Sequence, residues 1–133
     1  MRILVSGGLG FIGSALIRLL ITSTEHKVLN IDKETYAAMP EALAEIETHR
    51  NYSFEKVDII SDESLKKIFA IFKPDAVMHL AAESHVDRSI ADPREFINTN
   101  IVGTYNLLVA SKNFWESSPE GKRFLHVSTD EVY

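Results

Sequence analysis

Gly7, Gly10 and Gly13 fall three residues apart, directly after a short apolar run and at the start of a helix-period stretch, and Gly8 completes a Gly-x-Gly-x-x-Gly pattern. Such a loop suits a diphosphate: its tight turn can take positive φ, its backbone can approach the ligand, and the helix can pack close to the strand. Free backbone N–H groups and the positive helix end would hold the anion, the dipole contributing about 0.3–1 kcal/mol. Asp32 ends the second apolar run, nineteen residues after Gly13. A carboxylate there can accept both hydrogen bonds of an adenosine ribose, a charged hydrogen bond being worth roughly 1.5–3 kcal/mol. The same charge opposes a 2′-phosphate, so NAD is expected over NADP. Lys33 beside it is compatible with ribose contact or with a solvated turn. No Lys-Ser or Lys-Thr follows the glycines, which argues against a nucleotide triphosphatase loop. A methyltransferase also uses a glycine loop and an acid after its second strand, and stays open.

A second group of residues follows the fifth apolar run, in Ser128-Thr129-Asp130-Glu131-Val132-Tyr133. Eliminating water needs one group to protonate a departing hydroxyl and another to remove a carbon-bound proton. Two carboxyls such as Asp130 and Glu131 can divide that work, each contributing typically 10²–10⁴-fold when its pKa is tuned. The alternative is that Thr129 or Asp130 caps a helix and Glu131 faces water. A third group, Ala81-Ala82-Glu83-Ser84-His85-Val86-Asp87-Arg88-Ser89, follows the fourth run. His79, Glu83, His85 and Asp87 match no metal-ligand spacing well, so no metal is expected. His79 reads as a satisfied core residue, Arg88 as a phosphate ligand or a partner of Asp87. Asn98 and Asn100 are expected to make a structural hydrogen bond to this loop.

The elements that must position these groups alternate between strand and helix. Ile3 to Ser6, Lys27 to Ile31, Tyr52 to Val57, Ala76 to Leu80 and Phe124 to Val127 are short runs, most of them nearly continuous in apolar residues, as suits strands covered on both faces. Between them lie a helix over Phe11 to Ile21 and another with Leu65, Ile68, Phe69 and Phe72 at i, i+3, i+4 and i+7, capped by Ser61 or Asp62 and stopped by Pro74. A long helix runs from Pro93 past Ile97, Ile101 and Leu108 towards Trp115, with Gly103 marking close packing. Pro40 with Leu43, Ile46 and Glu47 suggests a short, mostly surface helix. Right-handed crossovers then give an α/β fold, a Rossmann-type doubly wound parallel sheet of strand order 3-2-1-4-5.

Composition sets the outer limits. The 133 residues make one domain or part of one, with 45% hydrophobic and 25% charged residues, a balance that supports a packed core. Fourteen Lys and Arg against nineteen Asp and Glu give a net charge of −5, which offers no basic field for nucleic acid or an anionic membrane. No Cys is present, which removes disulfides and thiolate chemistry and fits the cytoplasm. No run is long enough for a signal peptide or a membrane span.

These motifs, with Thr35-Tyr36-Ala37, Val57-Asp58-Ile59 and Thr99-Asn100-Ile101-Val102-Gly103-Thr104, make the sequence resemble the extended short-chain dehydrogenase/reductases, and within them the dTDP-glucose 4,6-dehydratases. The resemblance implies that Phe11 and Ile12 line the pyrophosphate, Asp32, Lys33 and Thr35 hold the adenosine ribose, and Asp58 and Ile59 flank the adenine. Leu80, Ala81, Ala82, Ser84 and Thr99 would surround the rest of NAD. Ser84 and Thr129 would contact a nucleotide sugar, with Asp130 as acid and Glu131 as base. In that family NAD takes a hydride from sugar C4, water leaves across C5 and C6, and the hydride returns to C6. The pattern departs at Ala38-Met39-Pro40, where the family usually has Gly and Asn. The family's Tyr-x-x-x-Lys, whose Tyr takes the C4 hydroxyl proton, lies downstream of Tyr133. The expectation is therefore an NAD-binding domain, residues 1–133, lacking the substrate domain and inactive alone, from a parent that is a homo-oligomer. The other readings are a non-catalytic, self-associating fragment and another family member such as an epimerase or decarboxylase.

Overall fold

The structure, a computed structural model, describes residues 1–84 and 93–128. Five parallel strands, β1 (Arg2–Ser6), β2 (Lys27–Asp32), β3 (Tyr52–Lys56), β4 (Ala76–His79) and β5 (Arg123–His126), form one sheet in the order β3-β2-β1-β4-β5. β1 lies at its centre, with Ile3 beside Val28 of β2 and Ala76 of β4. Alternation along β1 then sends Leu4 to one face and Ile3 and Val5 to the other. Leu4 joins Leu65, Phe69 and Leu107 in one apolar layer, while Ile3 and Val5 join Ile17, Ile21 and Leu43 in the second.

The central strands are covered on both faces as their apolar runs predict, but the edges are not. β3 exposes Ser53 through Lys56, and β5 exposes all but Phe124. Each has a strand on one side only among the described residues, so one backbone edge and part of each face meet solvent.

Helix α1 (Phe11–Ser23) fills the first crossover and buries Gly13, Ser14, Ile17 and Ile21. Helix α2 (Asp62–Phe72) begins where Ser61 Oγ accepts the Ser64 N–H at 3.3 Å, and ends in a left-handed Lys73 ahead of Pro74. Its predicted stripe faces the core: Leu65, Ile68 and Phe69 are buried, and Phe72 is half-buried against them. Pro40–Ile46 forms a 3₁₀ turn rather than a surface helix; Leu43 and Ile46 are buried against α1, because Pro at its start and tight pitch aim both inward.

The long helix from Pro93 comes in three parts. α3 (Pro93–Phe96) leads into a π-helical segment (Ile97–Gly103), then α4 (Thr104–Trp115). Gly103 packs as its sequence position suggests: a Cβ there would lie 2.6 Å from Ile59 Cδ1. π-helical turns inside helices are uncommon and tend to sit at functional sites.

Candidate functional site

The glycine turn is built by contacts too close for side chains. Gly7 has φ +76° and donates its N–H to the Ile31 carbonyl at 3.0 Å, and a Cβ on it would stand 2.5 Å from Ala81 N. A Cβ on Gly13 would stand 2.2 Å from the Gly7 carbonyl oxygen, so Gly13 is what lets α1 lie against the turn. Gly10 precedes α1 with extended backbone and supplies no side-chain cap. The N–H groups of the first helical turn are left open by it, as an anion would require.

Opposite the turn, Asp32 ends β2. Its Oδ2 accepts the Leu9 N–H at 3.0 Å and its Oδ1 the Glu34 N–H at 2.9 Å, so the glycine loop itself orients the carboxylate. The loop beyond β2 is pinned back, since Met39 donates its N–H to the Leu9 carbonyl at 2.8 Å.

Eleven predicted positions line one cavity at the carboxyl ends of the strands: Gly7, Gly10, Asp32, Lys33, Thr35, Asp58, Ile59, Leu80, Ala81, Ala82 and Thr99. The remaining four positions predicted to contact the cofactor stand outside that lining. Phe11 and Ile12 are 83% and 62% exposed at the start of α1, Gly13 is buried beneath the turn, and Ser84 is exposed. The predicted catalytic trio Thr129, Asp130 and Glu131, together with His85, Asp87 and Arg88, lies outside the described residues.

Lys33 is not a solvated turn residue. Its Nζ donates to Thr99 Oγ1 at 3.1 Å and sits 3.6 Å from Glu83 Oε1 and 3.7 Å from Glu95 Oε2. No local pattern signals this, because Glu83, Glu95 and Thr99 come from the loop after β4, from α3 and from the π-helical segment, far along the chain. Ile31, Val57, Ala37 and Ala38 also line the cavity; their strand-end or post-strand positions were the available signal. Asn100 behaves as expected, accepting the Glu83 N–H and donating to its carbonyl, both at 2.9 Å.

His79 is the core residue the sequence suggests. It is fully buried, with Ser6 Oγ 2.7 Å from Nδ1 and Thr104 Oγ1 2.8 Å from Nε2. Burial, with the stacked His126 ring adding to it, lowers its pKa to about 4, so the ring is neutral near pH 7. Both hydroxyls can donate or accept, which satisfies either tautomer. Among the described residues no group of three or more His, Asp or Glu is placed to hold a metal ion.

One look-alike needs separating from the cavity. Tyr52 and Lys56 have Tyr-x-x-x-Lys spacing but lie on β3, where four residues span about 13 Å. Lys56 pairs with Glu34 at 2.7 Å, and the Tyr52 hydroxyl accepts from Asn30 Nδ2 at 3.2 Å. Burial raises the Tyr52 pKa, outweighing the Asn30 hydrogen bond, which is the reverse of what a proton-accepting tyrosine needs.

A family model described as GDP-mannose 4,6 dehydratase matches residues 4–133. The dTDP-glucose 4,6-dehydratase of Haemophilus influenzae is 58% identical over 137 aligned positions, which cover 100% of this chain and 40% of that protein. The dTDP-glucose 4,6-dehydratase 1 of Escherichia coli K12 is 55% identical, over 100% of this chain and 38% of that one. Among solved structures, the dTDP-glucose 4,6-dehydratase DesIV of Streptomyces venezuelae, with NAD and TYD bound, superposes with a TM-score of 0.86 at 40% identity, over 100% of this chain and 41% of that chain. A UDP-glucose 4-epimerase of Thermotoga maritima with UDP-glucose gives 0.82 at 34% identity, over 97% of this chain and 38% of that chain. This chain thus spans about 40% of the length of the curated relatives it matches.

Proposed function

The chain belongs to the GDP-mannose 4,6 dehydratase family, and from that premise we propose that it is the NAD-binding, amino-terminal part of a nucleotide-sugar dehydratase acting on dTDP-glucose. The observation that carries this reading is the cavity itself. A glycine turn with no room for a Cβ and an oriented Asp32 carboxylate line one crevice, at the point where strand order reverses. An anionic diphosphate fits the backbone side, and an unphosphorylated ribose fits the carboxylate side.

In this reading the first turn of α1, with Phe11, Ile12 and Gly13, faces the diphosphate. Asp32, Thr35 and the main chain of Lys33 hold the ribose, Asp58 and Ile59 border the adenine, and Leu80 to Ala82, Ser84 and Thr99 surround the remainder. NAD when bound supplies a reversible hydride acceptor. The chain's own share is to bind and orient the dinucleotide and, through Thr129, Asp130 and Glu131, to contact the sugar, donate a proton to the leaving hydroxyl and accept one from carbon. Residues 1–133 would form the NAD-binding Rossmann domain of such an enzyme. Likeness to enzymes named 55–58% identical at full coverage of this chain favours the dehydratase over the epimerase reading.

A self-associating oligomer fits β5, whose outer edge has no strand beside it among the described residues and whose Leu125 is 48% exposed. A cytoplasmic setting fits the Cys-free composition, and no described helix is long and apolar enough to cross a membrane. Calorimetric titration tests the central reading. NAD should bind and S-adenosylmethionine should not; the opposite preference would move the chain to the methyltransferases and end the proposal.

A further inference from the structure

Among the described residues lining the cavity, Lys33 alone carries a fixed positive charge, and it follows Asp32 directly. A lysine at such a place would ordinarily favour a phosphate on the ribose, since an ammonium beside a phosphate makes a strong charged hydrogen bond. Here the ammonium is already engaged. Thr99 accepts from it, and Glu83 and Glu95 flank it at 3.6 and 3.7 Å. Glu83 is held in place by the paired Asn100 hydrogen bonds to its backbone, and its side chain is only 12% exposed. Two carboxylates on one ammonium, with Asp32 adjacent, leave this corner of the cavity net negative.

We infer that Glu83 and Glu95 are specificity-determining residues: by occupying Lys33 they complete the exclusion of a 2′-phosphorylated dinucleotide that Asp32 begins. The inference rests on the dinucleotide reading of the cavity. It predicts that neutralising either glutamate releases Lys33 towards a 2′-phosphate, while neutralising Lys33 as well removes the benefit.

The test is binding of NADH and NADPH to the intact protein, followed by fluorescence, in Glu95→Gln, Glu83→Gln and the double variant, each with and without Lys33→Met. Glu95, whose side chain is 56% exposed, can be changed without disturbing the fold and keeps the test open should Glu83→Gln fold poorly. The ratio of the NADPH to the NADH dissociation constant should fall about threefold in Glu95→Gln and about tenfold in the double variant, the range expected for partly exposed and partly buried ion pairs. With Lys33→Met the fall should vanish. An unchanged ratio, or an equal fall in the Lys33→Met background, would overturn the inference while leaving the cavity a dinucleotide site. Failure of the unmodified protein to bind NADH would instead refute the dinucleotide reading, and this inference with it.

Discussion

Two glycines three residues apart do different work. On Gly13 a methyl group would press into the Gly7 carbonyl oxygen at 2.2 Å, whereas on Gly10 it would meet the same oxygen at 3.4 Å. The oxygen belongs to the backbone of a turn fixed by the Gly7 hydrogen bond to β2, so it cannot yield cheaply. Gly13→Ala should therefore cost about 1–3 kcal/mol or more, and Gly10→Ala less than about 1 kcal/mol, by the midpoint of urea unfolding at constant slope. His79 gives a prediction of another kind. Its folded pKa is about 4, below the ordinary 6.5. The unfolded chain takes up a proton as pH falls through about 6.5 and the folded one only near 4, so the contribution is complete above pH 6.5 and is lost on acidification between the two. That loss is on the order of 3 kcal/mol, and it should appear as a fall in unfolding free energy from pH 7 to pH 4.5 that His79→Gln flattens. An NMR titration of the ring should independently show it neutral at pH 5. That His79 is structural could be read from its place inside an apolar run. Its partners Ser6 and Thr104 could not, because a neighbouring strand and a distant helix bring them together.

The π-helical segment at Ile97–Gly103 organises one wall of the cavity. Within six residues Thr99 reaches Lys33, Asn100 grips the backbone of Glu83, Gly103 admits Ile59, and Thr104 meets His79. Asn100 closes two hydrogen bonds on one peptide unit, so Asn100→Ala strips the loop after β4 of its main anchor. Leaving such groups unsatisfied costs roughly 1–3 kcal/mol, and the Glu83 amide should exchange with deuterium much faster than its neighbours in β4. Unchanged exchange there would show that the loop is held by other means. The strands and α2 were legible because each depends on local pattern, apolar runs for the strands and the i, i+3, i+4, i+7 stripe with Ser61 for α2, and the strand order followed from right-handed crossovers. The π turn has no such signature, since the polar Asn98, Thr99 and Asn100 suit an ordinary helix equally well. The exposure of β3 and β5 likewise follows from their position at the sheet's ends rather than from their residues.

At the scale of the whole molecule, the cavity draws its lining from the glycine turn, the end of β2, the loop after β3, the loop after β4 and the π segment, all of which meet only because β1 lies between β2 and β4. These segments are tied to one another by a few polar contacts, such as Lys33 with Glu83, Asp32 with Leu9, Asn100 with Glu83 and Met39 with Leu9. A ligand spanning the crevice would add further ties between these segments, and only in the folded state. Binding confined to the folded state adds about 2.7 kcal/mol at a hundredfold excess over the dissociation constant. For a unit of this size that corresponds to a rise in melting temperature of about 5–10 °C. NAD should produce that rise in the intact protein, and Asp32→Asn should shrink it by weakening the ribose contact while leaving the diphosphate cradle intact. Since the Asp32 carboxylate also accepts two backbone N–H groups, Asp32→Asn will lower the melting temperature without ligand as well. The quantity to compare is therefore the ligand-induced shift in each protein rather than the absolute temperature. An equal shift in both would mean that the carboxylate serves the loop alone and that the ribose is read elsewhere in the crevice.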